Sequence, residues 1–238
     1  MRKGIEDKRW LHDTTPKIEH LERDPRIRAS GARPVLPQCP VQSLFQFLLE
    51  DYADEFPELG RHIMGQRFTY EFGRTTQSRF FTPLVIRPAA LSFRLWLLSR
   101  FGEDVDATAK KEILKNQYLE LLDILEKILQ SQPYLFGNHP TLVDFGWSGP
   151  FFRHFSSDIT PRKVMQQRAP AVYEWMARLW NCKGSRLDYD TGFPEPGSLP
   201  LNWDRLLALL PDYLEYYHLN ALAVRDGKPS FAWRYKGD

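Results

Sequence analysis

The longest regular pattern in the chain is a stripe of apolar side chains between positions 107 and 130. Leu114, Tyr118, Leu121, Leu122, Leu125, Ile128 and Leu129 recur at steps of three and four, while Lys110, Lys111, Glu112, Lys115 and Lys127 fall mostly on the opposite side. This is the period of an amphipathic helix with one core-facing stripe. The same period carries Val41, Leu44, Phe45, Leu48 and Tyr52, and the acidic run from Glu50 to Glu55 then adds a solvated surface to that face. Val85 to Phe101 reads as a further helix, with Pro88 in its first turn and Gly102 as its stop. Phe145 to Phe155 is apolar enough for a buried central helix, and Ala171 to Trp180 forms another, ended by Cys182-Lys183-Gly184. Trp203 to Leu219 is helical, with Pro211 expected to kink or divide it. Its Tyr213, Tyr216, Tyr217 and His218 are core residues first, placed where they could also cover a cleft. In the tail, Phe231, Trp233 and Tyr235 alternate as in a short strand or an extended segment lying over the domain.

The start of the chain is organised differently. Arg9 to His12 reads as a short strand that ends at Asp13-Thr14-Thr15-Pro16. Thr15 suits an N-cap and Pro16 the first helical position, and Ile18 and Leu21 give one short apolar face. A strand running straight into a helix N-terminus gathers free N–H groups and a positive dipole end, a place for a carboxylate or phosphate. Residues 23–40 are rich in proline and read as a linker, and the stretch from Gly192 to Gly197 reads as a second one.

Composition narrows the class without naming a chemistry. With 238 residues, 42% of them hydrophobic and 26% charged, the chain can bury a sizeable core in one or two domains. A net charge of +2 concentrates no basic face, so nucleic acid is not an expected partner. The two cysteines, Cys39 and Cys182, are far apart and without metal-ligand spacing. They imply a reducing compartment with neither disulfide framework nor metal. No apolar run reaches the roughly 20 residues of a membrane span, and the charged N-terminus lacks a signal-peptide core, so no membrane contact and a cytoplasmic location are expected. There is no Gly-rich phosphate loop and no Ser/His/Asp constellation, and the six histidines are scattered.

The most specific stretch is Tyr134 to Trp147. The turn Gly137-Asn138-His139-Pro140 leads into Thr141-Leu142-Val143-Asp144, a capping box. Thr141 would take the backbone N–H of position 144, and Asp144 would reach back to the N–H of Thr141. Glu or Gln is commoner than Asp at the third position. Pro140 and Phe145 stand where a hydrophobic staple would fix the direction of the chain. Val172-Tyr173-Glu174-Trp175-Met176-Ala177-Arg178 follows about 30 residues on.

Together these segments resemble the C-terminal helical domain of glutathione S-transferases, over roughly Leu11 to Trp180. The resemblance implies a mainly α fold: residues 1–24 as a remnant of a thioredoxin-like domain of about one strand and one helix, 25–40 as linker, 41–222 as the helical bundle and 223–238 as a tail. The Thr141–Asp144 box is structural and performs no chemistry. The run Leu49 to Glu55, with Arg67, Phe68 and Tyr70, looks like a bacterial-type branch whose first two C-domain helices line the cleft and supply dimer contacts. The resemblance makes Asp51 or Asp54 a candidate cross-subunit glutathione contact.

In that family an acidic residue or Gln followed by Ser grips the γ-glutamyl end of glutathione. Asp13 and Thr14 match the position, with Thr in place of Ser. Asp13 would face the ligand's α-ammonium and the Thr14 N–H its α-carboxylate, making glutathione the co-substrate and a small electrophile the substrate of conjugation or reduction. The family's first strand, its catalytic Ser, Cys or Tyr and its cis-proline have no counterpart ahead of Asp13. Cys39 lies after the motif and cannot substitute by position, so no catalytic residue is named. Cys182 reads as an inert small hydrophobe. The expectation is therefore a transferase-like protein of doubtful activity as encoded, with a second copy of itself as a candidate partner. The alternative is a non-catalytic interaction or assembly module built on the same helical domain.

Overall fold

The computed structural model describes residues 14–31, 33–53, 107–156, 159–187 and 193–234. The expected strand at 9–12, the Val85–Phe101 helix, Asp13, Asp54, Arg67, Phe68, Tyr70 and Tyr235 lie outside these residues. The described chain is mainly helical and contains no strand. Its helices are α1 (Thr14–Arg23), α2 (Pro25–Ala29), α3 (40–53), α4 (Ala107–Leu129), α5 (Leu142–Pro150), α6 (Ile159–Arg168), α7 (Pro170–Trp180), α8 (Trp203–Leu207) and α9 (Leu210–Arg225).

The apolar stripe of α4 is the floor of the core. Tyr118, Leu121, Leu122, Leu125, Ile128 and Leu129 are all buried, while Lys115 and Lys127 face solvent. Helices α6, α7 and α8 pack on this stripe, and α7 also packs on α5. Trp147 of α5, Trp175 of α7 and Trp203 of α8 converge there, each with no exposed surface. Burial of three indoles is a large hydrophobic contribution, since each such side chain removes about 150–250 Å² from water.

Helix α3 crosses α5 closely. A Cβ on Gly146 would stand 2.6 Å from Glu50 Cγ and 3.1 Å from Glu50 Cα, so only glycine fits this crossing. Two residues on along α3, Tyr52 stacks on Trp147 at 5.8 Å and meets Tyr213 of α9 edge-on at 5.4 Å.

Several local expectations need correction. Helix α1 begins at Thr14, so Thr15 lies inside the first turn instead of capping it. The first linker contains α2, started by Asp24, whose Oδ1 accepts the Arg26 N–H at 2.9 Å. The central helix is not one uniform buried rod. It ends at Pro150, which lacks an N–H, and passes into a π-turn, Phe151–Phe155, closed by Ser156 N–H to Phe151 O at 2.8 Å. Phe151 and Phe155 point inward, but Phe145 and Phe152 are 39% and 38% exposed. Pro211 divides the C-terminal helical stretch as expected, standing in the first turn of α9, which runs on to Arg225. The tail lies extended, with Phe231 and Trp233 against Tyr216 at 5.3 and 5.4 Å.

Candidate functional site

The turn before α5 is where the chain's buried polar groups meet. Tyr134 and Gly137 exchange backbone hydrogen bonds at 3.0 and 3.3 Å, and Gly137 sits at φ +133°, a conformation open to glycine. Asp144, fully buried, then receives four donors. Its Oδ1 accepts from Leu135 N–H at 2.8 Å and from Trp175 Nε1 at 2.9 Å. Its Oδ2 accepts from Thr141 N–H at 2.9 Å and the Thr141 hydroxyl at 3.1 Å. Burial pushes the Asp144 carboxyl up to about 6 against the pull of these donors. Leu135 is held from its other side too, since its carbonyl accepts from Trp203 Nε1 at 2.6 Å and Gln132 Nε2 at 2.7 Å.

The N–H groups at the start of α5 are accounted for one by one. Both halves of the Thr141–Asp144 capping box are present, and the Asp144 N–H also bonds the Thr141 carbonyl at 3.0 Å. Leu142 N–H donates to Val35 O at 3.1 Å, and Val143 N–H to Gln46 Oε1 at 2.9 Å. The linker and α3 are thereby tied to the helix start, and these bonds, together with the exposure of Phe145, replace the expected staple as what sets its direction. Nothing in this arrangement does chemistry: every member orients backbone.

A second set of groups lies where α1 meets α3. The Thr15 hydroxyl lies 2.8 and 2.9 Å from the two carboxylate oxygens of Glu50, a residue only 5% exposed. One turn earlier on α3, Gln46 is fully buried, and its Nε2 has no hydrogen-bond partner among the described residues. Thr14 stands at the start of α1, beside this contact.

The remaining candidates fall elsewhere. Asp51 is exposed and accepts the Tyr213 hydroxyl. Cys39 precedes α3, where the backbone N–H groups of Gln42, Gly197 and Val41 hold its thiol below the usual value. Gln42 of the same helix donates through Nε2 to the carbonyls of Pro194, Glu195 and Ser198 at 2.9–3.1 Å, fastening the second linker. Cys182 is partly buried and lies against Tyr134, whose phenol is raised by burial first and by Cys182 second. Among the described residues no group of three or more His, Cys, Asp or Glu is placed to hold a metal. No described helix is long and apolar enough to cross a membrane.

Sequence reading missed Gln46, Glu50 and Glu126. Each looks like an ordinary polar residue on an amphipathic helix, and its partners are 35 to 97 positions away. The only signal was position, since Gln46 and Glu50 fall on the apolar side of α3.

Residues 80–182 match the family model described as the glutathione S-transferase C-terminal domain. No curated protein and no solved structure matches the chain significantly.

Proposed function

From the match of residues 80–182 to the glutathione S-transferase C-terminal domain, we propose that the chain is a glutathione S-transferase-like protein that binds glutathione at the N-terminus of α1. Asp13 faces the γ-glutamyl α-ammonium and the Thr14 N–H the α-carboxylate. The observation that carries this reading is the helix start itself. A ten-residue helix begins at Thr14, and the backbone N–H groups and dipole of such a helix start favour an anion. Glutathione would then be conjugated to, or used to reduce, a small electrophile, with the thiol activated by a hydrogen-bond donor to its thiolate. No residue of this chain is assigned that donor's role, and dimerisation belongs to the same proposal.

Calorimetric titration of glutathione into the whole chain tests the reading. Micromolar to low-millimolar affinity, weakened in Asp13→Ala and Thr14→Ala, supports it. Absence of binding by the folded protein retires it and leaves the interaction-module reading. One observation favours that second reading: Phe152 and Trp180 stack in parallel at 4.6 Å on the surface, and Trp180 is 70% exposed. Exposed aromatic pairs of this kind mark contact surfaces more often than isolated apolar residues do.

A further inference from the structure

Independently of the glutathione reading, we infer that the outer face of α9 is a self-docking surface, on which α9 of a second copy of this chain packs antiparallel about a twofold axis. What carries this is an apolar stripe left uncovered on a helix that otherwise belongs to the core. Leu214 and Val224 are 46% and 71% exposed, Tyr217 between them is 37% exposed, and Ala221 completes the row, also exposed. Their steps of three, four and three are those of a coiled-coil seam. The stripe continues from buried Leu210 and runs beside the face through which Tyr213 and Ala223 are buried. Tyr213 and Tyr216 brace the Tyr217 ring at 4.8 and 5.5 Å, so the aromatic at the middle of the stripe is held in place. The tail packs elsewhere on the helix, through Phe231 and Trp233 against Tyr216.

Charge decides the occupant. The helix carries Asp212 and Glu215 in its first two turns and Arg225 in its last. A lipid surface or a peptide of one sign would meet repulsion at one end. A second α9 turned end for end meets attraction at both. In that arrangement Leu214 faces Val224 of the other copy, Tyr217 faces Ala221, and Glu215 comes level with Arg225, each contact occurring twice. Large Tyr217 opposite small Ala221 is the knob-into-hole fit that such seams use. Arg225 meets its neighbour Asp226 at 3.0 Å, yet 71% of its side chain stays in solvent, open to a second carboxylate. The helix has 16 residues and is about 24 Å long, and one pair of such helices buries less than the roughly 1,200–2,000 Å² of a stable interface. The association is therefore weak and concentration-dependent.

Sedimentation equilibrium of the whole chain over a concentration series, without glutathione, tests this. Wild type should be a monomer–dimer mixture with a micromolar dissociation constant. Val224→Glu, which sets a charge opposite Leu214, should weaken the dimer by more than about tenfold. Glu215→Arg and Arg225→Glu, each replacing attraction by repulsion at two symmetry-related places, should weaken it by about tenfold. The double variant should regain wild-type association, because each end again meets opposite charge. A wild type that stays monomeric throughout, a dimer that Val224→Glu leaves intact, or a double variant no tighter than either single variant overturns the inference. A dimer built on α3 gives the second of these results. If Val224→Glu does not fold, the charge exchange at 215 and 225 decides alone. None of these outcomes bears on glutathione at α1, so the two readings stand or fall separately.

Discussion

Trp175 donates its indole N–H to Asp144 Oδ1 across 2.9 Å, joining α7 to the start of α5 inside the core. Thirty-one positions separate the two residues, and both are fully buried. Replacing Trp175 by Phe removes one of the four donors and part of a packed ring, at an expected cost of about 1–3 kcal/mol. Asp144→Ala is worse, because Leu135 N–H, Thr141 N–H and Trp175 Nε1 then stand buried together without an acceptor. We expect a loss of about 3 kcal/mol or more, read as a lower urea midpoint in both variants and lowest in Asp144→Ala.

The same carboxyl gives a pH dependence whose sign is opposite to that of a surface ion pair. Folded Asp144 holds its proton up to about pH 6, whereas its unpaired value is 3.8. Between these values the folded state binds more protons than the unfolded state, so stability falls as pH rises. The contribution is full below pH 3.8 and level again above about 6. Asp123 runs the other way. Its bidentate pair with Arg168, at 2.6 and 2.7 Å, holds its carboxyl below the usual value, so its contribution is present above 3.8 and is lost as pH falls through the lower, folded value. Urea midpoints at pH 4, 5, 6 and 7 should decline to about pH 6 and then level off for wild type, and not decline for Asp144→Asn. A wild-type midpoint that rises over this range would mean that the four donors outweigh burial.

Helix α7 is capped from another helix. Pro170 opens it and Ala169, the N-cap residue, offers no side-chain acceptor, but Glu126 Oε2 of α4 takes the N–H groups of Ala171 and Val172 at 2.9 and 3.2 Å. A carboxylate at a helix N-terminus also opposes the dipole favourably. Glu126→Ala should cost about 1–2 kcal/mol, as loss of a cap does, and Glu126→Gln less, because an amide oxygen still accepts. Equal melting temperatures for wild type and Glu126→Ala would show that water satisfies the two N–H groups as well.

These two relationships show where the sequence is legible and where it is not. The α4 stripe was readable because burial imposes a 3.6-residue period on every helix that faces a core, and Tyr118 to Leu129 obey it. The Thr141–Asp144 box was readable because both of its partners lie within one turn. Asp144's bond to Trp175 was not, since nothing in the spacing of Asp and Trp encodes a contact across the core. Glu126 and Glu50 were hidden for a related reason. A carboxylate on an amphipathic helix reads as solvated surface until a second helix brings N–H or O–H groups to it. At the start of α1 the sequence offered only the candidate dipeptide Asp13-Thr14; the Thr15–Glu50 contact depends on how α1 and α3 meet.

The crossing of α3 and α5 makes a prediction that separates packing from helix propensity. Gly146 and Gly149 lie in the same helix, and alanine is favoured over glycine in a helix interior by about 1 kcal/mol. At Gly149 a Cβ would meet no described residue within 4 Å, so Gly149→Ala should be neutral or stabilising by up to that amount. At Gly146 the new methyl would press on Glu50 at 2.6 Å from Cγ and 3.1 Å from Cα. A side-chain tip could turn away, but the Cα belongs to the α3 backbone, so the helices themselves must part. Overpacking of this kind costs about 1–3 kcal/mol and outweighs the propensity gain. Thermal unfolding should therefore place Gly146→Ala below wild type and Gly149→Ala at or above it. Because the displaced residue is Glu50, Gly146→Ala should also loosen the Thr15–Glu50 contact, while Gly149→Ala leaves it in place. If both alanine variants melt alike, α3 and α5 do not approach as closely as the Gly146–Glu50 distances require.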